Sequence, residues 1–392
     1  MVSNITQFNN VINNITYQHL DALNHKAEAL LKWKELLPYC QHNFFQSIPW
    51  VETWLEALPN QHPVYLVSCS VNGTPLSGMI ISFNKTVRLH IVHSDGLYLN
   101  NTGDTHLDEL TTEYNQILVN RTLSKANQND VIKGLLAHLD KIANWNEVFL
   151  PALASETRDN LISLPPLLNT RLKLVKTTKS YFVDLDKIRE SDLDYLKLLS
   201  SNKRSQIKRS ISGYQQSSNI EVQEAESTGQ AITMLEELAE LHQIEWTKRG
   251  KAGAFSNTFF FNFHRKLITD YFDSDYIQVL KIHTKDNIIG YLYNFLYQGE
   301  VLFYQCGFNY TDINKLKPGL TSHYFAILLN AKKGYNKYDF LAGESQYKSS
   351  LATESNNLSW ILLQKNHKRF IIENLLRSIN KLRKKNQHTK ND

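Results

Sequence analysis

The chain has 392 residues, 42% of them hydrophobic and 21% charged, and a formal net charge of +5. These values are typical of a soluble globular protein with room for two domains. No apolar run approaches the ~18 residues of a membrane-spanning helix, and the polar start lacks the apolar core of a signal peptide. Three widely separated cysteines give no CxxC pair, which argues against a disulfide framework or zinc ribbon. The composition therefore predicts a cytoplasmic protein.

The first part of the chain is predicted to form a leader and then a mixed α/β unit. Residues 1–43 read as a polar leader with one helix. In the unit that follows, over residues 44–180, the Asn72-Gly73 pair between two apolar runs is a strong signal for a β-hairpin. The pattern also predicts helices over residues 44–58, 108–121 and 128–143 and a short strand over 147–150.

The second part, residues 181–360, repeats this order of elements. It is predicted to begin with a strand at 181–185 and a basic helix over 192–214. Two helices are predicted next, over residues 228–248 and 255–272. They are followed by a three-stranded meander (277–282, 288–296 and 301–307), a further helix over 319–333 and a last strand over 338–341.

Two hairpins align without gaps, residues 65–78 with residues 277–290. Helices precede and follow each hairpin in similar order. We therefore predict an α+β (α/β mixed) fold with two halves, each a mixed, mostly antiparallel sheet flanked by helices.

A candidate site for a phosphate-bearing carrier lies where a helix begins after a strand that ends at Gly307. A helix N-terminus presents unpaired N–H groups and the positive end of the helix dipole. The residues placed there are Lys315, Lys317, Pro318, Gly319 and Leu320. The alternative is a plain strand–loop–helix connection with surface lysines.

Candidate catalytic residues follow the last predicted strand. Lys348 could neutralise an oxyanion, and Glu344, four residues earlier, could orient it or act as a base. Tyr304, in the preceding strand, is a third candidate. The alternative is an exposed Glu–Lys pair of little energetic value.

Candidate substrate-binding residues lie on three predicted helices. Arg204 and Lys208 belong to a basic stretch that suits an anion, unless it is only a solvated face. Trp246 and Arg249 have the spacing to line a pocket, and His264 lies among aromatic residues; core packing is the alternative for them. The motifs HExxH, Walker A, GxGxxG and GxSxG are absent from the sequence, so no metal is predicted.

Several segments together resemble the GNAT-like acyltransferase domain of the CelD/FemAB-like group. They are FFQSIPWVETWL in the first half and, in the second, LHQIEWTKRGKAGAFSNTFFFNFHRKLI, YQCGFNY and KPGLTSHYFAILLNAKKGYNKYDFLAGESQYKSSLA. The resemblance covers residues 40–355 and implies two GNAT-type halves.

It also implies that the helix after Pro318 receives the pyrophosphate of an acyl-CoA donor, and acetyl-CoA is the donor expected. The family's glycine-rich Arg/Gln-x-x-Gly-x-Gly/Ala loop is replaced here by Lys-Leu-Lys-Pro-Gly at 315–319. Lys348 matches a lysine that assists aminoacyl transfer in Fem-type enzymes. Arg204 and Lys208 match a segment that contacts an anionic acceptor there.

The function expected from the resemblance is acyl transfer from acyl-CoA to an amine or hydroxyl of a sugar or peptide precursor, in cell-envelope or exopolysaccharide biosynthesis. The alternatives are aminoacyl transfer from charged tRNA and a non-catalytic GNAT-like partner protein. The last segment, 361–392, contains a basic amphipathic helix over 365–385, with Ile371, Leu375, Ile379 and Leu382 on one face. This helix is predicted to dock on the body, to touch a membrane surface or to contact nucleic acid.

Overall fold

The structure is a computed structural model that describes residues 14–165, 169–216 and 218–388, with side chains described to residue 378. Its helices are α1 Lys26–Leu36, α2 Ile48–Ala57, α3 Lys125–His138, α4 Ser155–Ser163, α5 Leu185–Glu190, α6 Ser201–Tyr214, α7 Thr228–Lys248, α8 Thr258–Tyr271, α9 Pro318–Lys332, α10 Gln346–Leu351 and α11 Lys368–His388. Its strands are β1 Thr16–Asp21, β2 Val64–Val71, β3 Thr74–Arg88, β4 Val92–Leu99, β5 Leu118–Val119, β6 Glu147–Leu153, β7 Thr170–Asp184, β8 Glu221–Glu224, β9 Ile277–His283, β10 Ile288–Tyr297, β11 Glu300–Phe308, β12 Lys337–Ala342 and β13 Glu354–Lys365.

The described strands form one sheet in the order β1-β2-β3-β4-β6-β13-β7-β12-β11-β10-β9-β8, with β5 paired to β3. Counted inward from either edge, three antiparallel pairings are followed by one parallel pairing and then an antiparallel one. The parallel pairs are β4 with β6 and β11 with β12. The predicted fold class, two halves with mixed and mostly antiparallel sheets, is thus confirmed, and the two sheets are joined into one.

The two halves exchange a strand at their junction. β7 follows the first half in sequence but pairs with β12 of the second half, and β13 ends the second half but pairs with β6 of the first. β7 and β13 also pair with each other, from Phe182 opposite Glu354 to Thr170 opposite Lys365. Residue 180, where the sequence suggested a boundary between halves, therefore lies inside β7.

A shared aromatic core also joins the halves. The rings of Phe44 and Phe295 stack with their centroids 4.2 Å apart, and Trp50 meets Phe263 edge to face at 4.9 Å. These four side chains are buried and belong to one cluster that spans helices α1, α2, α7 and α8. Two further clusters are each centred on one half.

The Asn72-Gly73 turn confirms the predicted hairpin between β2 and β3. Both residues have left-handed backbones, with φ of 47° and 79°, and Val71 pairs with Thr74 across the turn. This turn type matches the right-handed twist of the flanking strands, and asparagine and glycine adopt it at low cost. The hairpin of β9 and β10 in the second half is likewise present.

The predicted helix over 108–121 is wrong. These residues form the end of a short 3₁₀ turn, Leu107–Glu109, an extended loop and the short strand β5. Asn115 accounts for part of the difference, because its backbone N–H bonds to Ala152 O at 2.9 Å, so the loop follows the edge of β6. The basic helix expected over 192–214 is shorter than predicted, since α6 begins at Ser201 behind a Ser200 cap.

The C-terminal helix α11 docks through a face different from its most apolar one. Phe370 and Glu373 are buried, and Glu373 bonds to Arg88, which also pairs with the buried Glu147. Ile371 and Leu375 are consequently exposed, by 64% and 61%. The side chains of residues 379 and 382 lie outside the described part, and contact of the 365–385 segment with a membrane or nucleic acid stays a prediction.

The described residues include no helix with both the length and the apolarity needed to cross a bilayer.

The shared core makes a testable prediction. Replacing the buried Phe44 by alanine removes its stacking on Phe295 and leaves a cavity between the halves. We expect the free energy of unfolding, measured by chemical denaturation, to fall by about 3–5 kcal/mol. Leu31→Ala, on the exposed side of α1, should change it by less than about 0.5 kcal/mol. Equal effects of the two substitutions would contradict a core shared between the halves.

Candidate active site

The site begins where the parallel strands β11 and β12 separate. They pair at only three positions, Glu300 with Lys337, Val301 with Tyr338 and Leu302 with Asp339. β11 then continues to Phe308 and β12 to Ala342 without further pairing to each other. The two strands therefore diverge and leave a wedge with backbone N–H and C=O groups along its edges.

The buried carboxylate of Asp339 lies at the point of divergence. It accepts hydrogen bonds from the Tyr114 hydroxyl at 2.6 Å, from Ser180 Oγ at 2.9 Å and from the Leu341 N–H at 2.8 Å. Leu341 has a left-handed backbone with φ of 59°, and the pairing of β12 with β7 is irregular between Asp339 and Ala342. Such a conformation is unfavourable for a branched residue and needs compensating contacts. The carboxylate supplies one of them, at the point where β12 and β11 cease to pair.

A cavity of about 510 Å³ opens at this wedge. One end is formed by the first turn of α9, where Pro318, Gly319 and Leu320 line the cavity beside Lys317. No side chain caps this helix. The other walls carry the cations Arg249 and Lys348 and the aromatic residues Trp246, Phe303, Tyr304, Phe308, Tyr310 and Tyr347.

The start of α9 is held in place by α6. The backbone N–H of Lys317 donates to Ser210 Oγ at 2.8 Å, and that hydroxyl lies 2.8 Å from Thr321 Oγ1. Four of the five predicted carrier-binding residues therefore line the cavity together. The fifth, Lys315, is exposed and is not part of the lining.

Lys348 enters the cavity from α10 with its ammonium group fixed. Its Nζ donates to Ala342 O at 2.8 Å and to Leu341 O at 3.3 Å. Two of its three N–H groups are thus used, which leaves one for a ligand. Burial lowers the pKa of Lys348, while the charges of Glu113 and Asp339 act in the opposite direction.

Glu113, from the first half, is the carboxylate that the sequence analysis missed. It is buried and accepts a hydrogen bond from the N–H of Ala342, the residue whose carbonyl binds Lys348. Burial raises the pKa of Glu113 to about 7, against the lowering effect of the Ala342 bond and of Lys348. The predicted partner of Lys348, Glu344, is exposed and outside the cavity lining, and its catalytic role stays a prediction.

Tyr304 forms part of the cavity wall, and its buried hydroxyl has no hydrogen-bond partner among the described residues. Burial, and then the neighbouring Tyr293, Glu113 and Glu109, raise its pKa well above the ordinary value, so the hydroxyl stays protonated. His264 lies behind it, with ring centroids 4.8 Å apart. His264 is fully buried, is not part of the lining, and has its pKa lowered to about 3 by burial.

The remaining predicted binding residues divide into two groups. Trp246 and Arg249 line the cavity, and Arg249 donates to Glu245 at 2.7 Å. Arg204 instead donates to the carbonyls of Leu196 and Leu199, which ties α6 to the preceding turn. Lys208 is exposed, and neither Arg204 nor Lys208 is part of the lining.

The equivalent wedge of the first half is filled by the chain itself. β4 and β6 pair in parallel from Gly96 to Tyr98 and then separate. Asn115 lies between them: its N–H bonds to Ala152 O at 2.9 Å and its side-chain amide donates to Leu99 O at 2.9 Å. One segment thus occupies in the first half the place that is open in the second.

Comparison with known proteins agrees with this geometry. Residues 201–349 match a family described as an acetyltransferase (GNAT) domain. That range contains α6 to α9, the wedge of β11 and β12 and the cavity. The second half of the chain is thus similar in sequence to a GNAT acetyltransferase domain. No curated protein sequence matches the chain.

Solved structures extend the likeness to both halves of the chain. FemX is 9% identical, with a TM-score of 0.56 over 91% of this chain and 98% of its own. A protein of unknown function from Bacteroides thetaiotaomicron is 10% identical, with a TM-score of 0.54 over 89% and 100%. The C-terminal domain of a putative lysylphosphatidylglycerol synthetase from Agrobacterium fabrum is 9% identical, with a TM-score of 0.50 over 90% and 96%. At these identities the likeness is one of fold.

The described residues contain no group of three or more His, Cys, Asp or Glu side chains arranged to hold a metal ion.

The buried Glu113 predicts a pH-dependent stability. Its pKa is raised from 4.5 to about 7, so the folded state binds the proton more tightly than the unfolded state. The resulting stability is present below the unfolded pKa and is lost as the pH rises through the folded one. Glu113→Gln keeps an acceptor for Ala342 without this titration. Its stability relative to wild type should increase by up to about 3 kcal/mol between about pH 5 and pH 8 in denaturant unfolding. A difference independent of pH would contradict the assignment.

Proposed function

We propose that this protein transfers an acyl group from acyl-CoA, with acetyl-CoA as the simplest donor, to an amine or hydroxyl. The observation that carries the proposal is the wedge between β11 and β12, which ends at the uncapped N-terminus of α9. The wedge offers free backbone groups to the amides of a pantetheine arm, as a strand edge does to a peptide. The helix end offers N–H groups to a pyrophosphate.

The residues around the wedge fit the chemistry of direct transfer. The acceptor's lone pair attacks the thioester carbonyl, and negative charge develops on its oxygen. The remaining N–H of Lys348 would stabilise that oxyanion, because the ammonium is already oriented by two carbonyls. The protonated hydroxyl of Tyr304 would donate a proton to the departing thiolate.

Donor binding is tested by reversing a charge at the start of α9. Lys317→Glu places a carboxylate beside the proposed pyrophosphate, so the Kd for CoA, measured by calorimetry, should rise by at least about tenfold. Lys332→Glu reverses a charge at the far end of the same helix and should change the Kd by less than about twofold. Equal effects of the two substitutions would place CoA elsewhere.

The oxyanion role is tested by Lys348→Met, which keeps the length of the side chain but removes its charge. The rate constant kcat should fall by at least about tenfold, with little change in the Kd for CoA. Lys332→Met serves as the control, because Lys332 is exposed at the other end of α9. An unchanged kcat in a folded Lys348→Met variant would refute the role.

Aminoacyl transfer from charged tRNA is the second candidate, and one observation favours it. Lys208 and Arg209 of α6 are exposed, and Gly213 of the same helix lies against Leu316 in the loop that carries Lys315 and Lys317. These cations form a basic surface next to the cavity. Binding of tRNA that weakens steeply with salt, together with no binding of CoA, would favour this candidate.

The acceptor we propose is a sugar or peptide precursor of the cell envelope or of an exopolysaccharide, made in the cytoplasm. A protein that binds neither CoA nor tRNA, and whose Lys348→Met variant still complements a deletion strain, would instead be a non-catalytic partner.

A further inference from the structure

A second cavity adjoins the one at the wedge. It has a volume of about 320 Å³ and shares His242, Trp246 and Gln305 with the first cavity. Its other side is formed by the loop that follows α7, over residues 252–257, and by Glu109 of the first half. The three shared residues therefore separate two cavities, and the outer one is built by both halves of the chain.

His242 has a defined tautomer at this boundary. Its Nδ1 lies 3.1 Å from the carbonyl oxygen of Cys306. A carbonyl oxygen can only accept, so Nδ1 carries the hydrogen and Nε2 of the neutral ring carries a lone pair. Trp246 and Phe255 contact the ring, at centroid distances of 5.6 and 5.1 Å, and fix its orientation.

The Nε2 atom of His242 has no hydrogen-bond partner among the described residues, although the residue is only 7% exposed. A buried polar atom without a hydrogen bond is unfavourable, so its presence needs a reason. His62, His264 and His323 also have unpaired Nε2 atoms, but none of them lines either cavity. His242 combines an unpaired basic nitrogen with access to both.

We propose that His242 is the general base of the transfer and that the second cavity is the subsite for the acceptor, a primary amine. This inference rests on the acyl transfer proposed above. Glu109 is the carboxylate in the lining of the second cavity, and its charge would attract a cationic amine in preference to an alcohol. Gln305, which lines both cavities, offers a side-chain amide to the same group.

The bound ammonium first releases one proton to solvent water. The nitrogen of the resulting neutral amine forms a bond to the acyl carbon, and His242 Nε2 takes a second proton from that nitrogen. The carbon–sulfur bond then breaks, with its electron pair leaving on the sulfur, which takes the proton of the Tyr304 hydroxyl. The products are an amide and the free thiol, and proton exchange with water restores His242 and Tyr304.

The surroundings of His242 keep its ring neutral near pH 7. Burial is the main cause that lowers its pKa, the Cys306 bond opposes this, and Arg249 adds to the lowering. The titratable and charged groups that line the two cavities around it are Glu245 and Arg249 on its own helix, Glu109, Tyr304 and Cys306, and, across the first cavity, Tyr310, Lys317, Tyr347 and Lys348. The acid limb of the rate profile should therefore lie below the pH at which an ordinary histidine titrates.

The base is tested by His242→Asn, because the asparagine amide can still donate to Cys306 O but offers no basic nitrogen. We expect kcat to fall by at least about 100-fold, the Kd for CoA to change by less than about threefold, and the acid limb of the pH profile to disappear. Added imidazole should restore part of the activity of His242→Ala. His283→Asn is the matched control, since His283 also bonds a carbonyl through Nδ1, at 3.1 Å, but lies outside both cavities. If wild type is active and His242→Asn has the same kcat, His242 is not the general base, and the proposed acyl transfer is unaffected.

The subsite is tested without any donor. The imidazole resonance of His242, followed by NMR, should shift on titration with n-butylamine and much less with n-butanol, and Glu109→Gln should weaken the amine's effect by at least about fivefold. If the amine shifts the His242 resonance in a protein that does not bind CoA, the amine subsite is supported and CoA as the donor is contradicted. No shift with the amine would overturn the subsite whatever the donor proves to be.

Discussion

The open wedge between β11 and β12 depends on one buried carboxylate, that of Asp339. Three of its hydrogen bonds come from three places: Tyr114 in the first half, Ser180 on the exchanged strand β7 and the backbone of Leu341. Lys337 of β12 adds an ion pair at 3.4 Å. A buried charge needs such partners, and the removal of one leaves an unfavourable group in the core. The shape of the cavity in the second half is therefore maintained by contacts with the first half, which explains how two halves with the same strand order contribute unequally to one site.

One loop segment carries most of this asymmetry. Glu113, Tyr114 and Asn115 are consecutive; the first two contact β12, and Asn115 contacts the ends of β4 and β6. Asn115 fills the wedge of the first half, Tyr114 bonds to Asp339, and Glu113 bonds to Ala342 beside Lys348. The segment that closes the first half thus completes the second. A duplicated fold can specialise in this way without any change to its sheet order.

The part of the fold that local patterns specify was predictable. The Asn-Gly turn, the three-stranded meander and the helices α7 and α9 follow from turn chemistry and apolar spacing, and the structure has them within a few residues of the predicted bounds. Four of the five predicted carrier-binding residues also meet at one cavity, because they are neighbours in sequence. The exchanged strands were harder to predict. Most of β7 is exposed or half-buried, so only its last residues show the apolar pattern of a core strand, and β13 was not recognised.

The surroundings of the proposed catalytic residues could not be predicted from the sequence, because they depend on tertiary contacts. Glu113 lies more than two hundred residues before Lys348, in a segment whose helical pattern is overridden by bonds to strand edges. The sequence also does not show that the Nε2 atom of His242 is unpaired, because this depends on the bond between Nδ1 and the carbonyl of Cys306 in β11. The basic residues of α6 show the converse. Their composition predicts an anion site, but Arg204 donates to carbonyls of its own chain.

A crystal structure of the protein with CoA would test whether an acyl-CoA donor binds in the wedge of the second half. We expect the pantetheine arm between β11 and β12 and the pyrophosphate at the backbone N–H groups of Gly319 and Leu320, with the sulfur near Tyr304 and Lys348. CoA bound in the first half, or at the surface with the wedge empty, would contradict this expectation.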